Sequence, residues 1–295
     1  MYMLDFIDSQ IDTWPLAREN YQALGKTERR SLKLGDLTIG IQHNPARMVS
    51  TAAKIDRHSI QNRPCFLCKG NRPPQQVPYD IAQGWELLLN PFPIFPTHFT
   101  IVSKTHQPQA GFPIDMVIMA ERLPGHTIFF NGSKAGASCP DHLHCQAVKT
   151  QELPLMLLVE KRHTLIASKP EENLVATSES LGLDVPFGFK SIVVTRDLAG
   201  MEILRDLENI IGRKFIEDGK LNMFVWIDSC GLLRIVAVPR DRHRPSCYGS
   251  GDGEMMISPG CIDMAGVVIT PRKQDYESLS ESKIRRIYEE CGRRY

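Results

Sequence analysis

The residues with the clearest chemical potential lie in one stretch, Phe129 to Val148, FFNGSKAGASCPDHLHCQAV. Its end reads His142-Leu143-His144-Cys145-Gln146. Period-two alternation predicts His142, His144 and Gln146 on one face of a strand and Leu143, Cys145 and Ala147 on the other. Neighbouring polar groups on that face then stand about 7 Å apart. Ahead of them Asn131-Gly132 opens a loop of small residues, Ser133 to Ser138. Such a loop exposes backbone N–H groups to which an anionic group can come close. A phosphate held there beside a strand-borne imidazole suits nucleophilic attack at phosphorus. The residues alone also allow a buried core pair or a metal-binding pair.

A second set of candidates lies upstream. Cys65-Phe66-Leu67-Cys68 is a C-x-x-C, compatible with zinc, redox chemistry or packed thiols. Without a second C-x-x-C, zinc needs two more ligands, and His98, His106, His126 and His142 are the downstream supply. Basic residues Arg47, Lys54, Arg57 and Arg63 are spread through Pro-broken sequence before it, which by itself reads as a solvated loop.

NGSKAGASCPDHLHCQ resembles the active-site segment of the histidine-triad superfamily, in the branch whose signature ends H-x-H-x-Q. That branch includes galactose-1-phosphate uridylyltransferase, diadenosine tetraphosphate phosphorylase and the GDP-hexose phosphorylases. One departure is a residue more between Ser138 and His144 than the family pattern has. The resemblance implies that His144 attacks the α-phosphorus of a nucleotide, with Gln146 hydrogen-bonding the phosphoryl group and Ser138 beside it. It further implies substrate contacts at Asn131, Gly132, Ser133, Lys134, Gly136, Ala137, Arg47, Arg63 and Asn90. Structural zinc is implied on Cys65, Cys68, His106 and His142. The run Pro239-Arg240-Asp241-Arg242-His243-Arg244-Pro245, a bare solvated loop on its own, matches runs at the branch's nucleotide site. The tail from Ser258 to Glu290 resembles GDP-hexose phosphorylases, which points to phosphorolysis of a nucleoside diphosphate hexose. Partners implied are a nucleoside diphosphate sugar or dinucleotide, with phosphate or a sugar 1-phosphate as acceptor.

The elements that must position these residues can be read coarsely. Trp14-Pro15 opens a helix capped by Asp12 or Thr13, and 32–41 forms a hairpin about Gly35-Asp36. Strands at 85–89 and 99–104, a helix over 116–122 and a strand at 127–130 lead into the loop. Beyond Gln146, 169–183 reads as an exposed connection, 191–196 as a strand and 198–211 as one helix. A second hairpin follows at 223–238, and a helix from about Ser280, preceded by capping residues in Ser278-Leu279-Ser280-Glu281, comes near the end. The β-α-β-β order thus recurs without its histidines. The expected fold is α+β: two fused histidine-triad-like units, antiparallel sheets with flanking helices. Residues 1–150 form the catalytic unit with the zinc loop, and 151–295 a degenerate second unit carrying a nucleotide-site segment.

Composition sets outer bounds. With 295 residues, 42% hydrophobic and 23% charged, the chain can bury a sizeable core. A net charge of +1 gives no reason to expect nucleic acid or an anionic membrane as partner. No signal peptide or spanning stretch is apparent, and eight sparse cysteines fit reduced thiols, so a cytoplasmic protein is expected. A fused repeat is compatible with a monomer or a homodimer.

Overall fold

The computed structural model describes residues 3–166, 174–194 and 198–294. Helices α1 (Met3–Thr13) and α2 (Pro15–Leu24) open the chain, followed by the hairpin β1 (Glu28–Leu34) and β2 (Leu37–His43). Short helices α3 (Met48–Thr51) and α4 (Arg57–Gln61) interrupt the run to β3 (Tyr79–Ala82), β4 (Trp85–Leu89) and β5 (His98–Ser103). Helix α5 (Met116–Arg122) then precedes β6 (His126–Asn131) and β7 (His144–Lys149). After α6 (Pro154–Ile166) come β8 (Leu174–Thr177) and β9 (Lys190–Val194). Three helices, α7 (Leu198–Arg205), α8 (Leu207–Ile211) and α9 (Arg213–Glu217), lead to β10 (Leu221–Ile227) and β11 (Leu233–Pro239). The end is α10 (Cys261–Met264), β12 (Val267–Thr270), α11 (Lys273–Ser278) and α12 (Glu281–Cys291).

Among the described residues nine strands form one sheet in the order β3-β4-β5-β7-β6-β10-β11-β9-β8, antiparallel throughout. The order β4-β5-β7-β6 recurs as β8-β9-β11-β10, so the repeated β-α-β-β pattern appears as two like halves meeting at β6 and β10. In that correspondence β11 answers to the histidine strand β7. A small sheet, β1-β2-β12, packs separately, with β12 parallel to β2.

Both faces of the large sheet are covered, which is why its strands read as continuous apolar runs. Ile128, Phe130, Cys145, Ala147, Val225 and Ile235 pack beneath α1, α2, α5 and α8. Phe129, Val148, Phe224, Trp226 and Val236 face α6, α12 and the small sheet. Each such large side chain buried contributes about 1.5–3 kcal/mol. Among the described residues no helix is long and apolar enough to cross a membrane.

Several local expectations need correction. Residues 3–13 are helical, with Phe6, Ile7 and Gln10 buried at helical spacing and Phe6 against Phe99. Asp12 and Thr13 therefore end α1, and Trp14 occupies the N-cap of α2 without a side-chain cap. The single helix expected over 198–211 breaks at Asp206, whose carboxylate accepts from Asn209 Nδ2 and competes with the helical pattern. Residues 174–177 are an edge strand rather than an exposed connection, while 169–173 lie outside the described residues, as do 195 and 196. Helix α5 is as expected, and of the capping residues before α12 it is Ser280 whose Oγ accepts from Lys283 N–H.

Candidate active site

A cleft of about 360 Å³ opens at the loop end of β6 and β7. This is large enough for a nucleotide-sized ligand. Trp14, Val49, Ile55, Phe66 and Phe92 supply apolar walls, while Ser138, His144 and Gln146 gather at the polar end. Arg47, Asn90, Asn131, Gly136 and Ala137 also line it.

His144 begins β7 opposite Val102 and is 4% exposed. Its Nδ1 lies 2.8 Å from the His142 carbonyl, so the ring donates there and leaves Nε2 as the nitrogen carrying a lone pair. Burial pushes the imidazole down to about 4, against the opposing pull of the His142 carbonyl. The ring is therefore neutral at pH 7, as a nucleophile requires.

Gln146 is held by a residue the sequence offered only as a zinc candidate. His98 Nδ1 accepts from Ile94 N–H at 3.1 Å, which makes Nε2 the protonated nitrogen, and Nε2–H donates to Gln146 Oε1 at 2.9 Å. With its oxygen taken, Gln146 presents its NH₂ to the cleft, the polarity needed to bind a phosphoryl oxygen. Burial first, then the charge of Arg47, depresses His98 to about 3 and keeps this arrangement neutral.

The small-residue loop divides into a structural and an open part. Gly132 N–H donates to Leu221 O, Lys134 N–H to Gly219 O and Ala135 N–H to Gly132 O. A Cβ on Gly132 would stand 2.4 Å from Gly219 O, so only glycine fits against the second half. Gly132, Ser133 and Lys134 thus brace the loop and do not line the cleft. Gly136, at φ +96°, donates to His243 Nδ1 at 3.4 Å. Among the described residues, the N–H groups of Ala137, Ser138 and Cys139 and the Ser138 hydroxyl have no partner, and these residues line the cleft.

Other sequence candidates have mixed placements. Arg47 lines the cleft while donating to Phe92 O at 2.8 Å, and burial lowers it only to about 10, so it stays charged. Asn90 spends its Oδ1 on Phe92 N–H and its Nδ2 on Thr100 Oγ1. Arg63 is outside the cleft, ion-paired with Asp141 at 2.5 Å and stacked over Phe66. The basic run after β11 splits likewise. Arg240 is fully buried, bonded to Asn222, Cys291 O and Pro259 O, whereas His243 and Arg244 reach the cleft wall.

The possible metal ligands converge beside this cleft. Cys65, Cys68, His106 and His142 bring their donor atoms within 4.8 Å of one another. His142 Nδ1 lies 3.3 Å from Cys65 Sγ, 3.6 Å from Cys68 Sγ and 3.4 Å from His106 Nδ1; Cys68 Sγ to His106 Nδ1 is 3.2 Å. Tetrahedral zinc predicts about 3.4 Å between nitrogens and about 3.6 Å between sulfur and nitrogen. His142 Nε2–H donates to Ser103 O at 2.8 Å, which turns Nδ1 toward the thiols. The donor set and its orientation fit zinc. His142 itself lies in the turn before β7 rather than on the strand face with His144 and Gln146.

Three buried histidines, His98, His144 and His163, sit at about 3, 4 and 4, each lowered chiefly by burial. Unfolded, they bind protons from about pH 6.5 downward; folded, they do not until far lower. Stability is thus complete above pH 6.5 and lost as pH falls toward 4, by about 1.4 kcal/mol per pH unit for each proton. Urea midpoints should drop between pH 7 and pH 5; an unchanged midpoint would contradict this.

One family, described as a domain of unknown function (DUF4922), matches residues 6–149, a little under half of the chain. Comparison with curated proteins found no match. Among solved structures, yeast Ap4A phosphorylase Apa2 in complex with Ap4A is 17% identical, with 94% of this chain and 96% of that one covered at a TM-score of 0.60. Its complex with AMP is 16% identical, covering 96% of each chain at 0.55. A chain of this topology, with His144 and Gln146 on β7 beside a small-residue loop, shares the fold seen in yeast Ap4A phosphorylase Apa2.

Proposed function

We propose that this protein is a nucleotidyltransferase that acts through a nucleotidyl-histidine at His144, and that its reaction is phosphorolysis of a nucleoside diphosphate hexose. The observation carrying the reading is the His144 Nδ1–His142 carbonyl bond, which leaves the lone pair on Nε2 of a residue that lines one cleft with Ala137, Ser138, Cys139 and Gln146. Nε2 attacks the α-phosphorus, forming a P–N bond as the P–O bond to the departing hexose 1-phosphate breaks. An oxygen of inorganic phosphate then attacks the same phosphorus, breaking the P–N bond and releasing the nucleoside diphosphate with His144 neutral again. Ala137, Ser138 and Cys139 N–H groups and the Gln146 amide stabilise the nonbridging oxygens, and Arg47 adds positive charge. Gln146 is a poor proton donor, which suits a leaving group that is already a phosphate ester.

Zinc at Cys65, Cys68, His106 and His142 would supply structure, tying the 65–68 turn to the residue two before His144. Residues 1–150 would then be the catalytic unit, with 151–295 a degenerate second unit whose segment after β11 lends His243 and Arg244 to the cleft wall.

A second reading replaces the sugar nucleotide by a dinucleoside polyphosphate, favoured by the fold shared with a phosphorylase whose structure holds Ap4A. A panel of nucleoside diphosphate sugars and dinucleoside polyphosphates, assayed with and without phosphate, separates the readings. Phosphate-dependent release of a nucleoside diphosphate from a sugar nucleotide is the expected result. Turnover without phosphate would make the protein a hydrolase, and no turnover or adduct with any substrate would leave a nucleotide binder.

A further inference from the structure

The β6–β7 ladder stops short of the site. Phe129 opposite Gln146 is its last pair, and continuing that register would set Asn131 opposite His144. Instead Asn131 pairs with Asn222 of β10, and β6 leaves β7 where the loop turns and the cleft opens. The gap is filled by one side chain from the segment after β5. Gln109 Nε2 donates to Asn131 O at 2.8 Å and His144 O at 2.9 Å, while its Oε1 accepts His144 N–H at 2.8 Å. It is 1% exposed. The amide orientation is fixed, because the reverse would press an oxygen against two carbonyls and an NH₂ against an N–H.

The same segment runs beside the approach to His144. Gln109 N–H donates to Pro140 O at 2.9 Å and Leu143 N–H to Gln107 O at 2.7 Å. Both backbone groups of His144 are thus taken by the Gln109 amide, while its neighbour Leu143 accepts from Ser103 N–H of β5.

We propose that Gln109 is a positioning residue for His144: its side-chain amide supplies the rung that β6 withholds, so the sheet opens without loosening the nucleophile's backbone. The consequence for the imidazole is direct. The Nδ1–H bond to His142 O spans only two residues, so its length and angle depend on the backbone torsions around His144. Freed backbone would let the ring exchange that bond for another and lose the single tautomer that keeps Nε2 basic.

The kinetic test rests on the reading of His144 as nucleophile, whereas the spectroscopic test does not. Nitrogen NMR of isotope-labelled histidine, with the His144 signal assigned by its loss in His144→Ala, should show one Nδ1–H tautomer in the wild type. Gln109→Ala and the isosteric Gln109→Glu should both give averaged tautomers; the glutamate keeps the acceptor but sets a second oxygen against two carbonyls. In phosphorolysis kcat should fall about 10- to 100-fold in both, with KM for the nucleotide within about threefold. A wild-type tautomer in either folded variant overturns the proposal, as does kcat within about twofold of wild type. Absence of turnover in the wild type would sink the enzymatic reading, and the tautomer result would still decide the role of Gln109.

Discussion

His144→Ala is expected to abolish covalent nucleotidylation and to lower turnover by roughly 10³-fold or more while the protein stays folded. The size follows from removing the atom that bonds to phosphorus, since loss of a nucleophile leaves only binding and charge stabilisation. Retention of fold follows from the surroundings: the ring makes one hydrogen bond, to His142 O, and otherwise borders the cleft. The measurement is acid-labile label on denatured protein after incubation with a nucleotide labelled in the α-phosphate, alongside steady-state rates and a thermal melt. Label and a tenth of wild-type turnover surviving in the variant would end the covalent mechanism, because among the described residues no second imidazole with a comparable free nitrogen adjoins Gln146. His98 spends both nitrogens, on Ile94 N–H and Gln146 Oε1.

The second large effect concerns the metal cluster. Elemental analysis should find about one zinc per chain, and Cys65→Ser or prolonged chelation should cost several kcal/mol, a fall of roughly 10 °C in melting temperature. Cys65 is nearly buried among Leu67, Leu88, Val102 and Cys139, so the knuckle is part of a small core as well as a ligand set. Stability should respond before chemistry does: the cluster's contact with the site runs through His142, whose carbonyl holds His144 and whose Nε2 is bonded to Ser103 O. Metal-free protein with an unaltered melt would refute a structural zinc, and immediate loss of turnover with an unaltered melt would point to a metal that takes part in chemistry.

How much of this could be read from the chain varies with the range of the interactions. H-x-H-x-Q is local, and period-two geometry puts His144 and Gln146 on one face as found. His142 escaped that pattern because β7 begins only at His144, which frees the preceding turn to send its imidazole toward the thiols. The loop's composition was informative but its division was not: whether an N–H is open or spent depends on Gly219 and Leu221, almost ninety residues away in sequence. His98 was legible only as a possible metal ligand and Gln109 not at all, since each acts through a partner brought by the fold, 48 and 35 residues distant. Arg240 and Arg244 looked alike within one basic run, yet one is interior and the other reaches the cleft wall.

The meeting of the halves at β6 and β10 ties the turn's shape to residues far away in sequence. Asn131 Oδ1 accepts from Asn222 Nδ2 and Cys261 N–H, and a Cβ on Gly136 would stand 2.5 Å from Gly260 Cα. The second half is thus the mould in which the other's small-residue turn is cast. A side chain added at Gly132 or Gly136 would meet backbone of the other half, so a change on either side of this seam is answerable to the other.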